Sequence, residues 1–117
     1  MPNAPDVGDL VWMDFTPQSG REQAGRRPGL VLSPAPFNQR TGLAFVCPIT
    51  SKIKGYPFEV VLPQGGRIEG AILVDQLKSQ DWGQRNLERA GKAPQIIVDQ
   101  VRAKIAAILG LNPQLVR

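Results

Sequence analysis

The sequence predicts a small, mainly β fold, an antiparallel sheet or barrel with one helix at its C-terminal end. Five short apolar segments are separated by turns rich in glycine and proline, a pattern typical of small antiparallel domains. Near the end of the chain the apolar residues change to a helical spacing of three or four. A length of 117 residues, of which 42% are hydrophobic, fits a single domain, residues 1–117, with one modest core.

The first predicted strand covers residues 10–15, which are rich in aromatic and aliphatic side chains. It follows residues 1–6, which we expect to form a loose tail. Alternation along the strand puts Leu10, Trp12 and Asp14 on one face, which we expect to meet water or a ligand. The other face carries the predicted core residues Val11, Met13 and Phe15.

Four further strands are predicted from apolar runs bounded by glycine, proline or polar residues, over residues 29–33, 43–50, 58–62 and 71–76. Asparagine and glycine at turn positions predict a hairpin loop over residues 37–42. Together with the first strand, these elements make up the predicted sheet.

The C-terminal helix is predicted over residues 94–110, because Pro94 suits a first turn and Gly110 suits a helix stop. We expect an apolar stripe of this helix to pack on one face of the sheet, with the residues Ile97, Val101, Ile105 and Ile108. A second, shorter helix is expected to begin near Ser79, and Gly91-Lys92 is expected to lie in an exposed linker.

The composition favours a polyanionic partner and excludes several kinds of chemistry. The formal net charge is +4 and the isoelectric point is about 9.7, which is mildly basic. The chain has no histidine, so imidazole serves as neither acid, base nor metal ligand. Cys47 is the only cysteine, which excludes an intrachain disulfide, and we expect it to be a small buried side chain. The sequence contains no metal-ligand cluster, so we expect no cofactor.

Neither a signal peptide nor a membrane span is predicted. The N-terminal residues lack a basic region and an apolar core, and no apolar run approaches the roughly 20 residues that a span requires. We therefore expect a cytoplasmic protein with no membrane partner.

The most distinctive segment is a charged, glycine-flanked loop over residues 20–28, which runs directly into the second strand. It holds Glu22, Gln23 and three arginines. Clustered guanidinium groups favour phosphate or carboxylate targets, because their donor geometry matches both oxyanions. Charged loops beside a strand are often binding or catalytic surfaces. The alternative for Glu22 and Arg26 is that they are only solvated loop charges.

Five segments, taken in this order, resemble the MazF-type toxins, the PemK/Kid group of toxin–antitoxin modules: residues 8–12, 22–28, 48–50, 55–60 and 75–79. The resemblance covers nearly the whole chain. It implies a small SH3-like, CcdB-like antiparallel β-barrel with a C-terminal helix, assembled as a homodimer. It also implies a sequence-specific endoribonuclease that cleaves single-stranded RNA without a metal, leaving 2′,3′-cyclic phosphate and 5′-hydroxyl ends. A MazE-type antitoxin is the implied inhibitor.

The resemblance implies three catalytic residues. Arg27 matches the catalytic arginine, and because a guanidinium stays protonated at neutral pH we assign it to stabilising phosphorane charge. Thr50 matches the catalytic threonine, which hydrogen-bonds the scissile phosphate or relays a proton. Glu22 matches a carboxylate and is the plausible base in its loop, with pairing to Arg27 or Arg26 as its competing role. Without the resemblance, Thr50 would be an ordinary strand-end threonine.

The resemblance also implies RNA contacts at Gln23, Asn38, Lys52, Lys54, Gln76 and Lys78. Lys54 matches an RNA-contacting lysine of the family, and Lys52 lies beside Thr50 in the sequence. Ordinary solvated loop lysines are the alternative for both. Trp12 could stack on a base, with a place in the core or in a dimer interface as the alternative.

Some positions depart from the Kid branch, which has a histidine where Arg21 stands and an arginine about where Leu73 stands. The mechanism argued for that branch therefore does not transfer, although Asp75 is present.

Two other functions stay open. One is a gyrase-directed toxin of the CcdB kind, which the C-terminal residues 111–117 disfavour because they do not resemble the hydrophobic tail of that kind. The other is a non-catalytic module that binds single-stranded RNA.

Overall fold

The computed structural model describes residues 3–15 and 25–111, and within these ranges the chain forms seven strands and two α-helices. The strands are β1 (Asp9–Phe15), β2 (Gly25–Val31), β3 (Leu43–Thr50), β4 (Glu59–Val61), β5 (Ala71–Leu73), β6 (Lys78–Asp81) and β7 (Glu88–Lys92). The helices are α1 (Ala35–Thr41) and α2 (Gln95–Leu109), and a 3₁₀ turn, Val74–Gln76, separates β5 from β6. The predicted mainly β fold with a C-terminal helix is confirmed.

The strands pair in the order β4-β5-β3-β2-β1-β7, and every pairing is antiparallel. The long strand β3 organises the sheet. Along one edge it pairs with β2, and along the other it pairs first with β6 and then with β5. This arrangement is compatible with the small barrel that the resemblance implies. It also places the end of β3, at Thr50, between β2 and β5.

Apolar side chains form two buried clusters, one on each side of the sheet. On one side, α2 buries Ile97 and Val101 in the cluster, and Ile105 packs against it. Ile108 is 42% exposed, so the predicted stripe is confirmed for three of its four residues. The second cluster includes the predicted buried face of β1 and consists of Val11, Met13, Phe15, Val31, Ala44 and Val46.

Helix α2 begins and ends close to where the sequence predicts. Pro94 immediately precedes it, and Gly110 follows it with a left-handed φ of 69°. The Gly110 N–H donates to the carbonyl oxygens of Ala106 and Ala107, which closes the last turn. No helix in the described parts of the chain is both long and apolar enough to cross a membrane.

The hairpin loop predicted over residues 37–42 is wrong, because these residues lie in α1 and its cap. Pro36 fits the first turn of a helix, where its missing N–H costs nothing. Gly42 then ends the helix with a φ of 75°, and its N–H donates to the Asn38 carbonyl oxygen. The asparagine and glycine that indicated a hairpin are therefore helix residues and a helix stop.

Two further predictions are wrong in the following part of the chain. The helix expected near Ser79 is strand β6, which pairs with β3. The linker expected at Gly91-Lys92 belongs to strand β7, which pairs with β1. Each of these strands buries a single residue, Gln80 in β6 and Ala90 in β7, so neither shows the apolar alternation that identifies a strand.

The prediction of a loose N-terminal tail is wrong for residues 3–6, while residues 1–2 lie outside the described residues. Ala4 and Pro5 are buried. The Asp6 carboxylate accepts the N–H of Ala35, at the start of α1, with Oδ1 2.9 Å away. This hydrogen bond lowers the pKa of Asp6. The N-terminal segment is thus a packed part of the domain.

Two strand boundaries differ from the prediction in ways that affect the site. Strand β2 begins at Gly25 rather than near Gly29, so Arg26 and Arg27 lie on a strand and not in a loop. The fifth predicted strand ends at Leu73, and Gln76 therefore lies on the 3₁₀ turn that follows.

Candidate functional site

A polar cleft of about 400 Å³ lies where β3 ends. Its walls come from the end of β3, the loop of residues 51–58 (hereafter the basic loop), the start of β4, the end of β5 and the 3₁₀ turn. The cleft is lined by Thr50, Lys52, Lys54, Tyr56, Glu59, Leu73, Asp75 and Gln76. The structure thus brings together four of the predicted site residues, which are Thr50, Lys52, Lys54 and Gln76.

Thr50 is the last residue of β3 and is only 7% exposed. Its Oγ1 accepts the backbone N–H of Lys52 at 3.1 Å, which leaves the hydroxyl hydrogen available for donation. The backbone beside Thr50 is held closely by Gly70, where φ is 126° and an added Cβ would collide with the Thr50 carbonyl oxygen. Thr50 is therefore a fixed hydroxyl at the inner end of the cleft.

Arg27 lies on strand β2, the neighbour of the strand that ends at Thr50. The pairing of β2 with β3 runs from Val31 opposite Val46 to Gly29 opposite Pro48. Beyond Pro48, β3 pairs with β5 through Ile49 and Thr50, while Arg27 lies opposite Met13 of β1. Arg27 does not line the cleft, so its action together with Thr50 stays a prediction.

Arg26, the neighbour of Arg27, has a different environment. Its guanidinium donates to Asp14 Oδ1 at 3.2 Å, to the Asn86 carbonyl oxygen at 3.0 Å and to Glu88 Oε1 at 3.1 Å. Hydrogen bonds from the Asn86 side chain and from Arg26 lower the pKa of Asp14. Arg26 thus ties the start of β2 to β1 and to the segment around β7. Arg26 and Arg27 alternate in direction along the strand, which gives them separate roles.

The basic loop is held in place by hydrogen bonds from side chains of the cleft. Glu59 Oε1 accepts the backbone N–H groups of Lys54 and Gly55, each at 3.1 Å. Tyr56 Oη donates to Asp75 Oδ2 at 3.0 Å, which connects the loop to the 3₁₀ turn. The loop therefore has a defined shape, although its residues are largely exposed.

Asn38 does not fit the predicted RNA contact. It lies in α1 and is fully buried. Its Nδ2 donates to the carbonyl oxygens of Pro5 and Ser33, each at 2.8 Å, and its Oδ1 accepts the Ser33 hydroxyl at 2.6 Å. With both polar atoms of its amide used inside the protein, Asn38 is a structural residue that joins α1 to the N-terminal segment.

The other predicted site residues fall outside the cleft or outside the described residues. Lys78 begins β6, two residues beyond Gln76, and does not line the cleft. Glu22 and Gln23 lie in residues 16–24, outside the described residues. Trp12 is 37% exposed, as its strand face predicts. The Asp14 side chain on that face is 44% exposed, but Leu10 on the same face is buried in the core, so the prediction is wrong for Leu10.

Cys47 is buried, as predicted, and burial raises the pKa of its thiol to about 12, with a further contribution from Asp75. It is therefore an inert core side chain. Among the residues that the structure describes, no group of three or more Cys, Asp or Glu side chains is placed to hold a metal ion.

The sequence predicts no role for three polar residues of the cleft, which are Tyr56, Glu59 and Asp75. All three lie in the segments that carry the family resemblance. A further signal was available for Glu59, because a carboxylate four residues after a loop glycine can reach back to the loop's N–H groups.

Comparison with known proteins identifies the family. Residues 6–109 match the family described as PemK-like, MazF-like toxin of type II toxin–antitoxin system. The endoribonuclease toxin MazF of Escherichia coli (strain K12) is 45% identical over 106 residues, which cover 91% of this chain and 95% of that protein. The endoribonuclease toxin ChpB of the same strain is 34% identical over 108 residues, which cover 87% and 91% of the two chains.

Solved structures agree with this assignment. MazF (form I) from Deinococcus radiodurans has a TM-score of 0.89 and 51% identity, covering 92% of this chain and 98% of that one. MazF in a MazE–MazF structure (form III) from the same organism has a TM-score of 0.84 and 49% identity, with 93% and 99% covered. The resemblance expected from five short segments is thereby confirmed, and the chain belongs to the PemK-like, MazF-like toxins of type II toxin–antitoxin systems.

Proposed function

We propose that this chain is an endoribonuclease toxin that cleaves single-stranded RNA, including mRNA, in the cytoplasm. The observation that carries the proposal is the placement of Thr50 in a cleft with Lys52 and Lys54. Cationic side chains around a fixed hydroxyl suit the sugar–phosphate backbone. Identity of 45% to an endoribonuclease toxin over 91% of the chain supports the same activity.

The proposed reaction is a transesterification within the RNA. The ribose 2′-oxygen attacks the adjacent phosphorus while the bond from phosphorus to the 5′-oxygen breaks, which leaves a 2′,3′-cyclic phosphate and a 5′-hydroxyl. A base takes the proton from the 2′-hydroxyl, and the departing 5′-oxygen gains one. Since the nucleophile belongs to the substrate, the reaction needs neither a metal-bound water nor a cofactor.

Three residues are assigned to this reaction. Arg27 stabilises negative charge on the phosphorane, because its guanidinium can donate two parallel hydrogen bonds to phosphate oxygens. The Thr50 hydroxyl donates to the scissile phosphate or relays a proton. Glu22 is the proposed base. The competing role of Glu22 is an ion pair with Arg27 or Arg26. The Arg26 guanidinium already donates hydrogen bonds to Asp14, Asn86 and Glu88.

RNA binding is assigned to five polar side chains. Lys52 and Lys54 line it and would contact phosphates. Lys78, at the start of β6, would extend the phosphate contacts beyond it. Gln23 and Gln76 carry both donors and acceptors and would read base edges.

We further propose that the toxin acts as a homodimer and is neutralised by a MazE-type antitoxin. The rings of Phe37 and Phe45 stack with a centroid distance of 6.0 Å and are each 39% exposed, which leaves apolar surface for another chain. MazE–MazF structures from Deinococcus radiodurans support a partner of this kind. The net charge of +4 favours an acidic antitoxin segment.

The test of the activity is incubation with single-stranded RNA in EDTA, followed by end-group analysis and mapping of the cut sites. We expect cyclic phosphate and 5′-hydroxyl ends, and no cutting where the scissile ribose is replaced by deoxyribose. Equal cutting of the deoxyribose substrate would overturn the mechanism. Binding without any cutting would instead identify a non-catalytic RNA-binding module.

The test of the antitoxin proposal is displacement of a labelled, uncleavable RNA by a peptide with the sequence of the cognate antitoxin arm. Competition is expected, because the cationic cleft around Lys54 would serve both ligands. Charge reversal at Lys54 should weaken both. Simultaneous binding of the two ligands, with neither affinity changed, would overturn the shared site.

A further inference from the structure

The basic loop carries both cleft lysines, yet it has no regular secondary structure. Residues 51–57 are all exposed, and the chain between β3 and β4 makes only turns and bends. A loop of this kind would normally lose conformational freedom when it binds a ligand, which weakens the affinity. Contacts that fix its shape beforehand would therefore strengthen binding by Lys52 and Lys54.

Glu59 makes the contacts that define the tip of this loop. A single carboxylate oxygen accepts the N–H groups of both Lys54 and Gly55 at 3.1 Å. Gly55 has a left-handed φ of 73°, which turns the chain at this point. The Glu59 N–H in turn donates to the Tyr56 carbonyl oxygen at 3.0 Å, so Glu59 bonds the loop through its backbone as well.

The position of Glu59 distinguishes it from an ordinary loop residue. It lines a cleft that holds two lysines, where a carboxylate opposes the binding of a polyanion. A carboxylate at this position favours RNA binding only if its effect on the conformation of the loop outweighs its electrostatic repulsion of the ligand. The two N–H groups satisfy that charge locally.

We propose that Glu59 is a positioning residue for RNA binding, whose carboxylate holds the Lys54–Gly55 turn so that Lys52 and Lys54 face the cleft before RNA arrives. The inference rests on the proposed function, since it concerns how the same cleft binds its substrate. Glu59 acts through the lysines and touches no reacting atom.

Glu69 offers a matched control elsewhere in the molecule. Its Oε2 accepts the N–H of Gly65 at 2.7 Å, which is the same carboxylate-to-backbone contact across the same sequence separation. Glu69 does not line the polar cleft. Replacing it removes a comparable loop contact and a comparable charge outside the polar cleft, at a second cavity that Glu69 lines together with Ser51 and Ile53 of the basic loop.

The test compares Glu59→Ala, Glu59→Gln and Glu69→Ala by affinity for a deoxyribose-blocked RNA and by kcat and KM on the cleavable RNA. We expect Glu59→Ala to weaken binding and raise KM about tenfold, with kcat changed less than twofold. Glu59→Gln should bind as well as the native chain or better, because its amide oxygen still accepts hydrogen bonds and the charge is gone. Tighter binding by both Glu59 variants would overturn the inference, because it would mean that the carboxylate only repels RNA. Glu69→Ala should change neither affinity nor KM.

Hydrogen exchange of the backbone amides gives a measurement that does not depend on cleavage. The amides of Lys54 and Gly55 should exchange at least tenfold faster in Glu59→Ala, while the amide of Gly65 should change only in Glu69→Ala. Unchanged protection, or lost protection with native RNA affinity, would overturn the positioning role. If the native chain neither binds nor cuts RNA, the proposed function fails and the role in RNA binding fails with it, whatever the exchange rates show.

Discussion

Tyr56 donates its phenolic hydrogen to Asp75 Oδ2 at 3.0 Å and so joins the two walls of the polar cleft. Tyr56 lies in the basic loop, and Asp75 lies on the 3₁₀ turn after β5. The Tyr56 ring also meets Phe58 edge to face, with a centroid distance of 5.7 Å. The hydrogen bond therefore connects the two walls of the cleft at a point where both residues are exposed.

The first prediction concerns this bond. Tyr56→Phe should weaken the binding of an uncleavable RNA about threefold to tenfold, as expected for the loss of one hydrogen bond. Asp75→Ala also removes a negative charge, so the single variant is ambiguous. A variant that combines Tyr56→Phe with Asp75→Ala resolves the ambiguity. Its change in binding free energy should differ from the sum of the two single changes by a coupling of about 0.5–1.5 kcal/mol. Strict additivity would show that the bond does not shape the binding site.

The second prediction separates the two neighbouring arginines. Arg27→Lys keeps the charge but loses the paired donors, and we expect kcat to fall about 10²-fold or more, as for a lost oxyanion donor. Arg26→Lys is the control, and it should change kcat less than about tenfold because its partners are Asp14 and Glu88. Thermal unfolding of both variants checks that the fold is kept. Equal loss of kcat in the two variants would contradict the separate roles.

The fold could be predicted where the apolar pattern was strong. The alternation in β1 and the stripe of α2 predict both elements, because buried residues such as Met13 and Val101 recur there at the spacing of a strand and of a helix. Strands β6 and β7 could not be identified, since Gln80 and Ala90 are the single buried residues of their strands. Pairing with β3 and β1 makes these segments strands, and a local pattern does not encode that pairing.

The site could be predicted in part, because some of its residues are neighbours in the sequence. Thr50, Lys52 and Lys54 lie within five consecutive residues, so a prediction that places Thr50 in the site also places the two lysines near it. Arg27 lies on β2 and Thr50 on β3, two strands separated by a helix. Local pattern does not connect these two residues, and only the family resemblance selects both of them. Asn38 was misassigned because its burial depends on contact with Pro5, in a segment whose packing the sequence did not indicate.

The third prediction concerns the cationic side chains. The logarithm of RNA affinity should fall with the logarithm of salt concentration, by a slope of roughly 0.7 for each phosphate contact to a single strand. Lys52→Gln, Lys54→Gln and Lys78→Gln should each reduce the slope by about that amount. Lys92→Gln is the control, because Lys92 pairs with Asp9 away from the cleft, with Nζ 3.1 Å from Oδ1. A slope that the variants of Lys52, Lys54 and Lys78 leave unchanged would remove these lysines from the interface.

The fourth prediction concerns stability in acid. Hydrogen bonds from Ala35 and then Val7 lower the pKa of Asp6 below its usual value of 3.8. A lowered folded-state pKa gives a stabilisation that is complete above the unfolded pKa and is lost as the pH falls through the folded value. Asp6→Ala should therefore lower the free energy of unfolding by about 1 kcal/mol at pH 7, as for one lost N–H acceptor. The difference should narrow below pH 3.8, and denaturant unfolding across pH measures it. A difference that stays constant with pH would contradict the assignment.

The last prediction identifies the base. Glu22 is the proposed base, but Asp75 is a carboxylate that lines the cleft and accepts a hydrogen bond from Tyr56 there. If Glu22 takes the 2′-hydroxyl proton, Glu22→Gln should lower kcat about 10²-fold to 10⁴-fold and abolish the rise of kcat with pH in the acid range. Asp75→Asn should keep that rise, because its amide still accepts the Tyr56 hydrogen bond and leaves Glu22 in place. Single-turnover cleavage from acid to neutral pH distinguishes the two variants. If Asp75→Asn instead abolishes the rise of kcat with pH in the acid range, and Glu22→Gln keeps that rise, Asp75 is the base and Glu22 is not.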